Sequence, residues 1–162
     1  MESKTIEIIG DNYLGEIRRT RTACRGIIVE NNKILLSYEK ENDQWMIPGG
    51  GLEDNETDKG CVIREVQEET GMVIEASDCA LIINEYYGNA KYINKYFFGK
   101  VVGKTGRHLT DREIEVGMEP RWLDLDETIK IFSTYEAYKD TLPMRFGLYR
   151  RELTALKALI NK

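Results

Sequence analysis

Three carboxylates crowd one short stretch of the chain: Glu65, Glu68 and Glu69. On a helix these positions stand at i, i+3 and i+4, so all three project from one face. Like charges at that spacing repel by roughly 0.2–0.5 kcal/mol per pair. No lysine is interleaved to offset them. A bound cation would, and clustered hard oxygens suit Mg²⁺ or Mn²⁺ while suiting Zn²⁺ poorly. Such a cation neutralises charge on an anionic substrate and lowers the pKa of water, while a carboxylate accepts the water's proton. The chemistry these residues permit is therefore metal-assisted hydrolysis.

That chemistry needs a rigid helix and a close-fitting loop. Asn55 is the expected N-cap, with Asp58 favourably placed in the first turn. Gly71 can end the helix in the left-handed conformation. Val62, Ile63 and Val66 form an apolar stripe opposite the acids, which must pack on something. Ahead of the helix runs Trp45-Met46-Ile47-Pro48-Gly49-Gly50-Gly51. Its consecutive glycines let backbone approach a ligand closely, and Pro48 stiffens the way in.

The stretch from Gly50 to Met72 resembles the signature of the Nudix hydrolase family. That pattern is Gly, five residues, Glu, seven residues, then Arg-Glu-hydrophobic-x-Glu-Glu-x-Gly-hydrophobic. Here Gly50, Glu56, Arg64, Glu65, Val66, Glu68, Glu69, Gly71 and Met72 fill it without departure. The resemblance implies an α/β/α sandwich with a mixed central sheet over about residues 20–160. It implies a metal-dependent hydrolase in which water attacks phosphorus of a nucleoside diphosphate linked to another moiety. By matching position, Glu65, Glu68 and Arg64 are the catalytic candidates, Arg64 orienting the acids. Mg²⁺ or Mn²⁺ would be held by Glu65, Glu68, Glu69 and the Gly50 carbonyl. In similar enzymes the general base is either the glutamate after the box arginine, here Glu65, or one from a later loop. Glu115 is preferred over Glu119 for that later-loop role and as a further metal ligand, because Glu119 is tied beside Pro120. The family also allows a homodimer. Two other readings stay open: a nucleotide-binding module or sensor without catalysis, and a prenyl diphosphate isomerase. No box acid is lost, which disfavours the first. Neither Cys61 nor Cys24 obviously supplies the cysteine needed by the second.

The 162 residues suit one domain, 1–162, with residues 1–20 as an N-terminal hairpin extension. A net charge of −5 argues against general nucleic-acid binding and leaves a small nucleotide-type ligand as the expected partner. Cys24, Cys61 and Cys79 are scattered, with no zinc spacing, and predict reduced thiols. The opening Met-Glu-Ser-Lys-Thr lacks a signal peptide's apolar core, and no apolar run reaches membrane-span length. A cytoplasmic protein without membrane contact is the expectation.

Along the chain, Thr5–Ile9 and Leu14–Thr20 look extended, with Gly10-Asp11-Asn12 turn-like between them, so a hairpin is expected. Arg18, Arg19, Arg21 and Arg25 make a basic patch, and Arg25 is its candidate phosphate ligand. Short strands at 26–29 and 34–38 flank the turn pair Asn31-Asn32. Strands are also expected at 79–87, at 92–102 and at 121–125. Tyr86, Tyr87, Tyr92 and Tyr96 cluster there, and one could stack on a nucleobase; Tyr86 is the candidate. His108 is expected on an exposed loop. Asp126 would cap a helix carrying Ile129 and Phe132. A last helix opens at Thr141 and Pro143, with Tyr149, Leu153, Leu156 and Ile160 on one face.

Overall fold

Apolar alternation carries most of the chain into strands, in the residues 3–160 that the computed structural model describes. The order begins with β1 (Lys4–Ile9), β2 (Arg19–Ile27), β3 (Val29–Glu30) and β4 (Lys33–Glu39). β5 (Gln44–Met46) and β6 (Gly49–Gly51) lead into α1 (Asp58–Thr70). The long pair β7 (Met72–Tyr87) and β8 (Ala90–Lys104) follows, then the short helix α2 (Asp111–Glu115). β9 (Met118–Asp124), α3 (Leu125–Phe132), a 3-10 turn at Tyr135–Tyr138 and α4 (Pro143–Leu159) complete it.

The strands make a five-stranded sheet, β1-β7-β8-β2-β6, and a second sheet centred on β4. In the second, β9 lies along one edge of β4, while β3 and β5 share the other. The turn at Asn31 and Asn32 forms as expected, both residues taking positive φ, 52° and 62°. The N-terminal hairpin does not form. β1 runs parallel to β7, and β2 runs parallel to β8. The antiparallel β7–β8 hairpin lies between them. Gly10 continues along β7 by donating to Tyr86 O at 2.8 Å, and residues 14–18 then hang on the hairpin tip, where Leu14 N donates to Gly88 O at 2.8 Å. Turn-forming residues mark a change of direction, but they do not choose the strand's partner.

Helices cover both faces, as the expected α/β/α sandwich requires. Cys24, Ile28, Leu35 and Phe97 pack under Cys61, Val62 and Val66 of α1. Ile27, Leu36, Leu81, Ile83 and Tyr96 pack under Phe132, Tyr149, Leu153 and Leu156 of α3 and α4. β2 therefore alternates, sending Cys24 toward α1 and Ile27 toward α4. At Gly26, between them, a β-carbon would come within 3.0 Å of Val66 Cγ2. The missing side chain thus lets α1 lie close on the sheet. Asp124, rather than Asp126, caps α3, its Oδ1 accepting from Asp126 N at 2.9 Å. The cap falls where the extended backbone of β9 ends, the conformation an N-cap needs.

Candidate active site

The acidic helix is fixed at both ends. Thr57, not Asn55, is its N-cap, with Oγ1 accepting from Gly60 N at 3.0 Å. Asn55 instead takes φ 63°, a left-handed turn residue that brings Glu56 back toward the helix. Gly71 ends α1 at φ 78°, as the sequence predicts.

Arg64 gathers the box side chains. Nε donates to Glu56 Oε2 at 2.6 Å, and Nη2 donates to Glu56 Oε1 at 3.0 Å and Gly51 O at 3.1 Å. Nη1 donates to Glu65 Oε1 at 3.0 Å and to Glu68 Oε2 at 3.2 Å. Every N–H of the guanidinium therefore has an acceptor. The fork on Glu56 holds that carboxyl down at about 2, first through the hydrogen bond from Arg64. Glu65 differs: burial raises its carboxyl above the usual range, against the pull of Arg64. Glu69 is only 3% exposed, and burial raises it well above the usual range even though Gly49 N donates to its Oε2 at 2.9 Å.

These acids and the glycine loop line a cleft of about 490 Å³. Its far wall comes from β2, β8 and α4. Arg25 lies there, its Nε donating to Asn94 Oδ1 at 3.1 Å. Asn94 Nδ2 passes on to Glu85 Oε1 at 3.0 Å, which also accepts from Arg151 Nη1 at 3.3 Å. Burial first, and repulsion from Arg151 second, pull Arg25 below its ordinary value. Among the described residues no carboxylate pairs with Arg25, so its charge is left for an anion. Beneath this wall Glu152 of α4 is fully buried and holds the glycine loop, accepting from Ile47 N at 2.7 Å.

The structure therefore brings together Gly50, Arg64, Glu65, Glu68, Glu69 and Arg25 on one cleft. Two other candidates lie elsewhere. Glu115 is exposed and does not line the cleft, whereas Glu113, two residues earlier and on the opposite side of α2, does. Glu113 also closes a capping box with Thr110, donating no proton but accepting from Thr110 N at 2.9 Å. The Thr-x-x-Glu spacing was the available signal for that helix. Tyr86 faces away and packs on Tyr13, ring centroids 5.3 Å apart, while Tyr92, paired across the hairpin with Glu85, lines the cleft. Arg21, Arg112 and Arg151 also line it, and nothing in their local sequence distinguishes them. His108 is exposed, as expected; its backbone N–H anchors the 105–110 loop on Glu68 O at 2.8 Å.

The donor set suits a hard divalent cation: three carboxylates, two of them strained by burial, and a glycine loop too tight for a side chain. A β-carbon on Gly50 would come within 2.5 Å of Glu65 Oε2. In the arrangement described, Arg64 and Gly49 N occupy those carboxylates, and the Gly50 carbonyl accepts the Cys61 thiol at 3.6 Å. Among the described residues no three His, Cys, Asp or Glu side chains converge on one metal position. The chemistry of the donors fits Mg²⁺ or Mn²⁺.

The family comparison agrees with this geometry. The Nudix domain model matches residues 20–144, and the chain belongs to the Nudix family. It is 24% identical over 119 residues to diphosphoinositol polyphosphate phosphohydrolase 2 of Mus musculus, covering 74% of this chain and 64% of that protein. It is 27% identical over 119 residues to diphosphoinositol polyphosphate phosphohydrolase 3-alpha of Mus musculus, covering 74% and 71%. Among solved structures, a Nudix hydrolase from Nitrosomonas europaea superposes with TM-score 0.59 at 23% identity, covering 82% of this chain and 89% of that one. That likeness concerns the fold. Among the described residues no helix is long and apolar enough to cross a membrane.

Proposed function

We propose that this chain hydrolyses the diphosphate bond of a nucleoside diphosphate linked to another moiety, with water attacking phosphorus. The observation that carries it is one cleft with Arg64-bound acids on one wall and the carboxylate-free Arg25 on the other. Arg25 receives a phosphate oxygen and turns the diphosphate toward the acids. Glu65 accepts the proton of the attacking water; its Oε1 is held by Arg64, and its raised carboxyl suits a base working nearer neutral pH. Glu113, across the cleft on α2, is the later-loop carboxylate that replaces Glu115 in this reading. The water oxygen bonds to phosphorus, and the bridging P–O bond breaks with its electron pair leaving on the departing phosphate. Glu65, Glu68, Glu69 and the Gly50 carbonyl would hold Mg²⁺ or Mn²⁺, which when bound supplies charge neutralisation at the phosphates and acidifies water.

Two relatives' names point to a diphosphate carried on an inositol polyphosphate, while a third, of Bacillus subtilis, is named a putative ADP-ribose pyrophosphatase. The cleft argues against the inositol polyphosphate, since seven glutamates line it against five arginines. A densely phosphorylated ring needs the opposite balance. The missing convergence of three metal ligands favours one second reading, a nucleotide-binding module without turnover. Product nucleotide, followed by ion-exchange chromatography, from a panel of nucleotide sugars, dinucleoside polyphosphates and nucleoside triphosphates, with Mg²⁺ and with Mn²⁺, separates the two. Glu65→Gln and Glu68→Gln should each lower turnover by roughly 10²–10⁴-fold with the fold retained. Unchanged turnover in both variants removes their assigned roles, and binding without any turnover selects the module.

A further inference from the structure

A second cleft of about 600 Å³ opens beside the first. Glu85, Tyr92 and Arg151 line both, so the two adjoin along that wall. It lies between the start of α4, the Gly10–Asn12 turn and the ends of β7 and β8. We propose that this second cleft binds the base of the nucleoside whose diphosphate occupies the first; the proposal rests on the diphosphatase reading.

The walls are aromatic. Tyr87 and Tyr92 stand with ring centroids 6.3 Å apart, and Phe146 contributes from α4. Arg150 joins them, its guanidinium 4.7 Å from the Phe146 ring centre and its Nη2 donating to Tyr87 Oη at 3.1 Å. Its buried Nε–H has no partner, a donor the fold leaves unmet. Gly147 keeps the space open: a β-carbon there would come within 3.2 Å of Tyr87 Oη. Aromatic rings beside a guanidinium suit a planar heterocycle, since every base offers a π-face and ring or carbonyl acceptors.

A phosphorylated polyol suits the cleft poorly. It has no π-face, and the cations here are largely committed. Lys139 pairs with Asp11 at 3.3 Å, and Arg151 pairs with Glu85 at 3.3 Å and Glu152 at 3.2 Å. Arg150 alone among the lining cations has no carboxylate partner in the described residues. One unpaired guanidinium between Tyr87 and Phe146 can meet one acceptor edge, but not a ring of phosphates.

Calorimetric titration in EDTA tests this without turnover. The probes are AMP, GMP, UMP and CMP, with ribose 5-phosphate as the base-free reference. Methylenediphosphonate reports the first cleft alone, and inositol hexakisphosphate represents the competing class. At least one nucleoside monophosphate should bind tenfold or more tighter than ribose 5-phosphate. Gly147→Leu should erase that advantage while methylenediphosphonate affinity stays within twofold; leucine also favours the helix that carries it. Phe146→Ala, which removes a wall rather than filling the space, should reduce the same advantage at least threefold. Equal affinity for nucleoside monophosphates and ribose 5-phosphate in the wild type overturns the proposal. So does a base preference that survives both variants, or inositol hexakisphosphate binding that Gly147→Leu abolishes. Base preference in a protein that ignores methylenediphosphonate even when Mg²⁺ replaces EDTA leaves the base site standing and refutes the diphosphate reading instead.

Discussion

Replacing Arg64 by lysine keeps the charge and removes the fork. The arginine makes five hydrogen bonds, two to Glu56 and one each to Gly51, Glu65 and Glu68. An ammonium offers three donors from a point and cannot grip both Glu56 oxygens while reaching the other acids. The stability at stake can be read from Glu56, whose carboxyl falls from 4.5 to about 2. At about 1.36 kcal/mol per tenfold, that sets a ceiling of about 3 kcal/mol. Solvent at the cleft mouth and the charge retained by lysine reduce the expected loss to about 1–2 kcal/mol. For a chain of this size the melting temperature should then fall by roughly 2–8 °C.

The pH dependence gives the sharper check. A carboxyl depressed in the folded state stabilises fully above its unfolded value, 4.5, and that stabilisation is lost as pH falls through about 2. Circular-dichroism melts of both proteins in EDTA should therefore differ most near neutral pH. The difference should narrow between 4.5 and about 2. Turnover should also drop, by roughly 10–10²-fold, because Glu65 and Glu68 lose their common anchor. A melting difference that stays constant from neutral pH down to about 2 would show that the fork on Glu56 is not its source. Equal melting of the two proteins throughout would refute the energetic argument outright.

Other consequences follow from single contacts. Gly50→Ala places a β-carbon 2.5 Å from the Glu65 carboxyl, and the kinetics of nucleotide product formation should show at least a roughly tenfold loss of kcat. Gly71→Ala meets both φ +78° and Thr105 O at 2.6 Å, and should cost about 1–3 kcal/mol in a urea melt. Lys95 donates to Asp58 Oδ2 at 2.6 Å, and that hydrogen bond raises its ammonium above 10.5. A raised lysine stabilises fully below its unfolded value and loses that contribution as pH climbs through the folded one. Lys95→Met should accordingly melt roughly 1–3 °C below wild type near pH 8, with the gap closing as pH rises beyond 10.5.

What could be read from the chain was what short-range geometry decides. The acidic face of α1 follows from spacing alone, and Gly71 ends the helix because its backbone must turn left-handed. Asn55 shows where such reasoning stops. Asn and Thr are both good caps, and the choice of Thr57 depends on the turn that brings Glu56 back to Arg64. The preference for Tyr86 over Tyr87 and Tyr92 fails for a related reason. Alternation along β7 separates Tyr86 from Glu85 and Tyr87, but only the folded sheet reveals which face meets the clefts. Glu115 against Glu113 turned on a five-residue helix whose capping box was visible, though not its direction over the cleft.

The least legible part of the site joins residues far apart along the chain, and it follows from one buried carboxylate. Glu152 lies a hundred residues beyond the glycine loop, yet it accepts the Ile47 N–H at 2.7 Å and the Tyr96 hydroxyl at 2.6 Å. Arg151 Nε adds a third bond at 3.2 Å. One side chain thus ties the loop before Gly49, the strand carrying Asn94 and the helix carrying Arg150 and Arg151. Burying that charge is costly unless its bonds are met, so the three elements are held in a single mutual arrangement. On the proposed reading the box motif would set which groups face the diphosphate, and α4 how far Arg25 and the aromatic cleft stand from them. Substrate choice in this chain is accordingly expected to reside in α4 and the β7–β8 hairpin, outside the Gly50–Met72 motif.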